Sequence, residues 1–71
     1  MIAGVRQFGK GRFVPAEFPY IVSFKGKSAS PLDFYYWCIH ANLDVVLYDD
    51  ALHFREDDNR TFFYMNFPVF K

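Results

Sequence analysis

The chain has 71 residues, a formal net charge of zero and 23% aromatic residues, supplied by ten Phe, five Tyr and one Trp. This length allows one domain, residues 1–71, whose small core makes a monomer only marginally stable. The single Cys38 excludes an internal disulfide, and no apolar run has the length of a signal peptide or a transmembrane helix. We therefore expect a cytoplasmic protein without a membrane span.

The N-terminal segment predicts a loosely specified hairpin. Residues 2–8 have weak strand character, Gly9-Lys10-Gly11 is a turn signal, and residues 12–14 resume the strand pattern. Pro15 and Pro19 then bracket an irregular link, because proline removes a ladder donor and restrains the residue before it.

A strand and a helix are predicted next. Residues 20–25 alternate between apolar and mixed positions, which indicates a strand. Residues 30–43 predict a helix of about three turns. Ser30 can cap it with its hydroxyl, Pro31 suits the first helical position, and Asn42 tolerates the backbone of a helix end.

The predicted helix is apolar on two sides. A rotation of about 100° per residue separates two stripes. The stripe that we expect to cover the sheet consists of Leu32, Tyr35, Tyr36, Ile39 and Leu43. The opposite stripe consists of Phe34, Trp37, Cys38 and Ala41. So small a chain can hardly cover both, which makes Trp37 a candidate interface residue; a core position beneath the N-terminal hairpin is the equal alternative.

Three strand-like runs follow the helix, at residues 43–48, 51–56 and 61–67. They predict an antiparallel meander with turns at Asp49-Asp50 and Asp58-Asn59. The first turn pairs Val45 with Phe54, Leu47 with Leu52 and Asp44 with Arg55. The second pairs Phe54 with Phe63, Leu52 with Met65 and His53 with Tyr64. The face predicted for the core is Leu43, Val45, Leu47, Leu52, Phe54, Phe63, Met65 and Phe67. The opposite face is Asp44, Val46, Tyr48, His53, Arg55, Phe62, Tyr64 and Asn66.

These elements define an α+β fold, a four- or five-stranded antiparallel sheet with one helix packed on one face, in the order ββαβββ. A small half-open barrel is the alternative architecture.

The aromatic outer face and the acidic turns at its two ends predict a protein-binding surface. Complementary charge mainly sets the choice of partner and the rate of association, although solvated turn acids explain the same residues. The predicted partner-binding residues are Phe34, Trp37, Tyr48, His53, Phe62, Tyr64, Asp49, Asp50, Glu56, Asp57 and Asp58.

Basic residues interleaved with aromatic ones in the first third of the chain suggest nucleic-acid binding as an alternative, because single strands are held by basic grooves with stacking rings. The residues concerned are Arg6, Lys10, Arg12, Lys25 and Lys27. Zero net charge and the lack of a known RNA-binding motif argue against it.

We find no pattern typical of a catalytic, metal or cofactor site. Cys38 and His40 lie about 200° apart on a helix and cannot form a nucleophile and base pair. An acid-base pair built on His40 or His53 has no spacing to support it. We therefore expect no enzyme, no metal and no cofactor. The predicted function is a small protein-binding module or inhibitor that occludes its partner and forms a homodimer. Such a chain would suit a virus or mobile element that inhibits a host enzyme.

Overall fold

The computed structural model describes residues 7–8 and 15–71, and the side chains of residues 16–71. The strands are β1 (Gln7–Phe8), β2 (Tyr20–Ser23), β3 (Val45–Tyr48) and β4 (Ala51–Phe54). The helices are α1 (Pro31–His40) and α2 (Asp57–Asn66), and short 3₁₀ helices span Pro15–Glu17 and Pro68–Phe70.

The strands form one antiparallel sheet in the order β1-β3-β4-β2. Three strands have four residues each, and the two-residue β1 pairs with β3 at one edge. The other residues of the predicted N-terminal hairpin, 2–6 and 9–14, lie outside the described residues. In β2 the predicted alternation is confirmed, because Val22 and Phe24 are buried whereas Ile21 is exposed.

The β3–β4 hairpin has the predicted register. Val45 lies opposite Phe54 and Leu47 opposite Leu52. The two turn residues Asp49 and Asp50 have φ angles of 53° and 55°, the left-handed values of a type I′ turn. Aspartate tolerates this backbone better than most residues do, so the turn forms without glycine.

The third strand of the predicted meander is wrong, because residues 57–66 form helix α2. Asp57 and Asp58 lie in its first turn, where their carboxylates interact favourably with the positive end of the helix dipole and stabilise the helix. The half-buried or buried side chains of α2 are Asn59, Arg60, Phe63 and Tyr64, and with Phe67 just after the helix they recur every three or four residues. The predicted pairings of Phe63, Met65 and Tyr64 with β4 therefore do not exist, and Met65 is 75% exposed instead of buried.

Helix α1 begins at Pro31 as predicted, but within the described residues the Ser30 hydroxyl makes no capping hydrogen bond. Asn42, with a φ of 61°, follows the helix end. The assignment of the two stripes is wrong in part. In the stripe predicted to face inwards, Tyr35 is buried and Leu43 packs against the core, whereas Leu32, Tyr36 and Ile39 are exposed. From the opposite stripe, Phe34 and Trp37 pack against the core and Cys38 is buried in it.

Both helices of the described chain cover the same face of the sheet: α1 packs mainly on β3, and α2 packs on β2 and β4. The α+β class and the antiparallel sheet are confirmed, whereas the single helix and the order ββαβββ are not. The buried residues of this layer include Val22, Leu52 and Phe54 from the sheet and Phe63 from α2.

The opposite face of the sheet is also buried in part. Val46 is fully buried and His53 is 9% exposed. Phe18 is buried as well, and the Arg55 guanidinium lies 4.5 Å from the centre of its ring. Arg55 also binds the Asp44 carboxylate at 2.7 Å, which agrees with the predicted pairing of these residues.

In the described part of the chain, no helix has the length and apolarity needed to cross a membrane; α1 and α2 have ten residues each.

Candidate partner-binding surface

The outer side of the two helices carries exposed apolar side chains. Tyr36 is 51% exposed on α1, and Phe62 and Met65 are 43% and 75% exposed on α2. Trp37 of α1 is half-buried and contacts Phe62. We call Tyr36, Trp37, Phe62 and Met65 the helix surface.

The centre of the helix surface is a stacked pair of rings, Trp37 and Phe62, with centroids 5.8 Å apart and planes inclined by 23°. Trp37 also meets Phe67 edge-on at 4.8 Å. These contacts hold the indole in one position while leaving part of it in solvent. A rigid, partly exposed tryptophan is the residue type most often found at the centre of protein interfaces.

Ring contacts connect the two helices beneath this surface. Trp37 contacts Phe62 and Phe63 of α2, and both Phe34 and Trp37 contact Phe67, the residue that follows α2. Each helix also carries a carboxylate in its first turn, so both helices contribute acidic residues.

The acids concerned are Asp33 in the first turn of α1 and Asp57 and Asp58 in the first turn of α2, which Glu56 precedes. Asp57 accepts a 2.7 Å hydrogen bond from Arg60. Among the residues that the structure describes, Asp33 and Asp58 form no ion pair. Their dipole interaction stabilises the helices, and their charge remains available to a basic partner.

The predicted partner-binding residues are split between two parts of the molecule. The helices hold Phe34, Trp37, Phe62, Tyr64, Glu56, Asp57 and Asp58. The β3–β4 hairpin holds Tyr48, Asp49, Asp50 and His53. The predicted aromatic face that joined Tyr48 and His53 to Phe62 and Tyr64 is wrong, because the latter two lie on a helix that packs on the other face of the sheet.

Sequence reasoning missed two residues of the helix surface. Tyr36 and Met65 were both expected to face the core. The signal that identifies Met65 is the spacing of Arg60, Phe63 and Phe67, which places residue 65 on the outer side of a helix. No local signal identifies Tyr36, because both sides of α1 are apolar.

The described bases of the predicted nucleic-acid site are engaged within the chain. Lys25 forms an ion pair with Asp49 at 3.6 Å, and the Lys27 ammonium lies 5.8 Å from the centre of the Phe70 ring. Arg6, Lys10 and Arg12 lie outside the described residues. Among the described residues, Lys25 and Lys27 therefore do not form a basic groove lined by exposed aromatic rings.

Cys38 and His40 lie on different sides of α1, as predicted. Cys38 is fully buried, and burial raises the pKa of its thiol from 9.0 to about 12. The thiol therefore stays protonated near neutral pH and is a poor nucleophile. His40 is exposed at the end of the helix.

His53 is held by the sheet. Its ring N–H at Nε2 donates a 3.1 Å hydrogen bond to the Tyr48 carbonyl oxygen, and the two rings meet edge-on.

Burial, reinforced by the neighbouring Tyr36, raises the pKa of the Tyr35 phenol. Within the described residues, no group of three His, Cys, Asp or Glu side chains is arranged to hold a metal ion.

Comparison with known protein families, with curated proteins and with solved structures finds no match to this chain.

Proposed function

We propose that this chain is a small, non-enzymatic protein-binding module that acts as an inhibitor by covering part of its partner. The observation that supports the proposal most strongly is the helix surface, with its stacked and partly exposed Trp37 and Phe62 pair. Exposed apolar side chains grouped on one side of a small protein are typical of a surface that meets another protein.

The acids of the two helices favour a particular kind of partner. A segment that combines apolar side chains with Lys or Arg complements the helix surface together with Asp33 and Asp58. The apolar side chains supply affinity, whereas the charges mainly accelerate association and exclude acidic competitors. The free Cys38 suits a reducing compartment, so we place the interaction in the cytoplasm.

The proposal is tested by comparing the proteins retained by three immobilised chains. These are the original chain, Phe62→Ala/Met65→Ala, and Val69→Ala. Val69 is the matched control, since it is 76% exposed but lies beyond α2. A true partner binds the original chain and the Val69 variant, and binds the helix-surface double variant at least about tenfold more weakly once purified.

A partner that binds all three chains equally would contradict the proposal. Nucleic acid that is retained by the double variant and released steeply with rising salt would favour the basic alternative instead. For a purified partner, Asp33→Asn/Asp58→Asn should reduce the association rate at low salt and have less effect at high salt. Because Trp37 is the only tryptophan, a change in its emission reports binding at the helix surface directly.

A homodimer and an origin in a virus or mobile element remain proposals. Two copies that meet away from Trp37 and Phe62 would leave this stacked pair available to such a partner.

A further inference from the structure

The outer edge of β2 has unpaired main-chain groups. The strand order β1-β3-β4-β2 makes β2 an edge strand. The Phe24 amide donates to the Asp50 carbonyl at 2.8 Å, so the even-numbered residues of β2 bond to β4. Because antiparallel pairs alternate, the amides and carbonyls of Ile21 and Ser23 point away from β4. Within the described part of the chain, neither residue has a main-chain partner on that side.

We infer that the free edge of β2 pairs antiparallel with β2 of a second copy, which joins the two sheets into one. A two-fold axis that passes beside Val22 sets Ile21 opposite Ser23 of the other copy. Each such pair exchanges both of its main-chain hydrogen bonds. The register is self-complementary because it is centred on one residue, and Pro19, which has no N–H, ends the pairing.

The charges at the ends of β2 support a second copy as the occupant. Glu17 lies before the strand and Lys27 after it, and both are exposed. Glu17 also lies 3.9 Å from Arg55 of its own chain. Antiparallel pairing centred on Val22 brings Glu17 of one copy beside Lys27 of the other, which is electrostatically favourable. A lysine within an edge strand commonly prevents such pairing, but Lys25 lies beyond the last residue of β2.

Helix α2 would extend the same interface. It packs on both β2 and β4, and Arg60 from its β2 side lies 5.1 Å from the centre of the Tyr20 ring. Strands are spaced by about 4.8 Å, so the α2 helices of the two copies would lie about 10 Å apart, a normal distance for packed helices. Met65 lines the same groove as Arg60 and Tyr64, so it would lie near the second copy, whereas Phe62 stacks on Trp37 of α1. Dimerisation and partner binding at the Trp37 and Phe62 pair are therefore separable.

The first test is the solution mass of the full chain by sedimentation over a dilution series, from about 1 μM to about 100 μM. Ser23→Pro removes an outward amide that has no partner among the described residues. Ser23→Ala is the matched control, since both variants lose the hydroxyl that accepts from the Lys25 amide at 3.3 Å. We expect dimers of the original chain and of Ser23→Ala, and a dissociation constant at least about tenfold higher for Ser23→Pro.

A chain that is monomeric at every concentration would overturn the inference. So would an unchanged dissociation constant for a folded Ser23→Pro variant, or a dimer that Phe62→Ala abolishes and Ser23→Pro does not.

A second test needs no variant. Amide hydrogen exchange of the original chain should slow at Ile21 and Ser23 when the concentration is raised, because both amides become bonded in the dimer. The Val22 amide, which already faces β4, is the internal control and should change much less. Equal exchange at Ile21 and Ser23 at low and high concentration would show that the edge stays unpaired.

Discussion

Phe63 is the residue on which most of the aromatic packing converges. It has no exposed surface, and seven aromatic rings lie within 6.5 Å of its ring centre. These rings come from Phe24 just after β2, from β4, from both helices, and from Phe67 and Phe70 in the C-terminal segment. One side chain of α2 therefore connects every layer of the described core.

Phe63→Ala should lower the free energy of unfolding by about 3–5 kcal/mol, because it removes buried apolar area and leaves a cavity among rigid rings. For so small a domain this is a large fraction of the total stability. The neighbouring Phe62→Ala removes the same group from a half-exposed position and should lower it by about 1 kcal/mol, through loss of the stack with Trp37. Urea unfolding measures both values, and equal losses would contradict this view of the core.

At the scale of single residues, much of the burial pattern was predictable. The pattern in β2 and the pairing of Asp44 with Arg55 follow from alternation and turn length. The sequence left two alternatives for Trp37, an interface position and a core position. Its neighbours in the structure, Phe62 and Phe67, belong to a run that was predicted to be a strand.

At the scale of elements, the β3–β4 hairpin was predicted correctly from the sequence, whereas helix α2 was predicted to be a strand. The hairpin is specified locally, since apolar residues alternate on either side of a two-residue turn. The run from residue 61 to residue 67 is rich in aromatic residues, which are common in strands. Its conformation depends on the acids before it and on the surface that it covers.

Glycine should have opposite effects on stability at Asp50 of the hairpin turn and at Asp58 of α2. Asp50→Gly should raise the free energy of unfolding by about 0.5–1 kcal/mol, because glycine adopts a φ of 55° without the strain of a side chain. Asp49 is left in place to keep its ion pair with Lys25.

The control for this substitution is Asp58→Gly, which should lower the free energy of unfolding by about 0.5–1 kcal/mol. It places glycine in α2 and removes a carboxylate from the first turn. Urea unfolding of the two variants beside the original chain measures both effects. A loss of stability for Asp50→Gly would show that the turn does not need its left-handed backbone.

At the scale of the whole molecule, the aromatic cluster joins the helices to the sheet and to each other. Phe34 and Trp37 of α1 contact Phe63 and Phe67 of α2, and Phe63 contacts Phe54 of the sheet. Neither helix has a separate core. The two layers are therefore expected to lose their structure together.

We predict one cooperative unfolding transition. Emission from Trp37 reports the packing between the helices, whereas far-UV circular dichroism reports the backbone of both layers. The two signals should follow urea concentration with the same midpoint. A Trp37 transition that precedes the circular dichroism change would show that the helices separate before the sheet unfolds.

The sequence by itself determined the elements whose signals are local: the α+β class, the alternation in β2, the start of α1 at Pro31 and the register of the β3–β4 hairpin. Proline geometry, alternation and turn length act within a few residues. The tertiary structure alone decided that residues 57–66 form a helix and that Phe34, Trp37 and Cys38 of α1 pack against the core. Both sides of α1 are apolar, so the surfaces that the sheet and α2 present determine which of its side chains are buried.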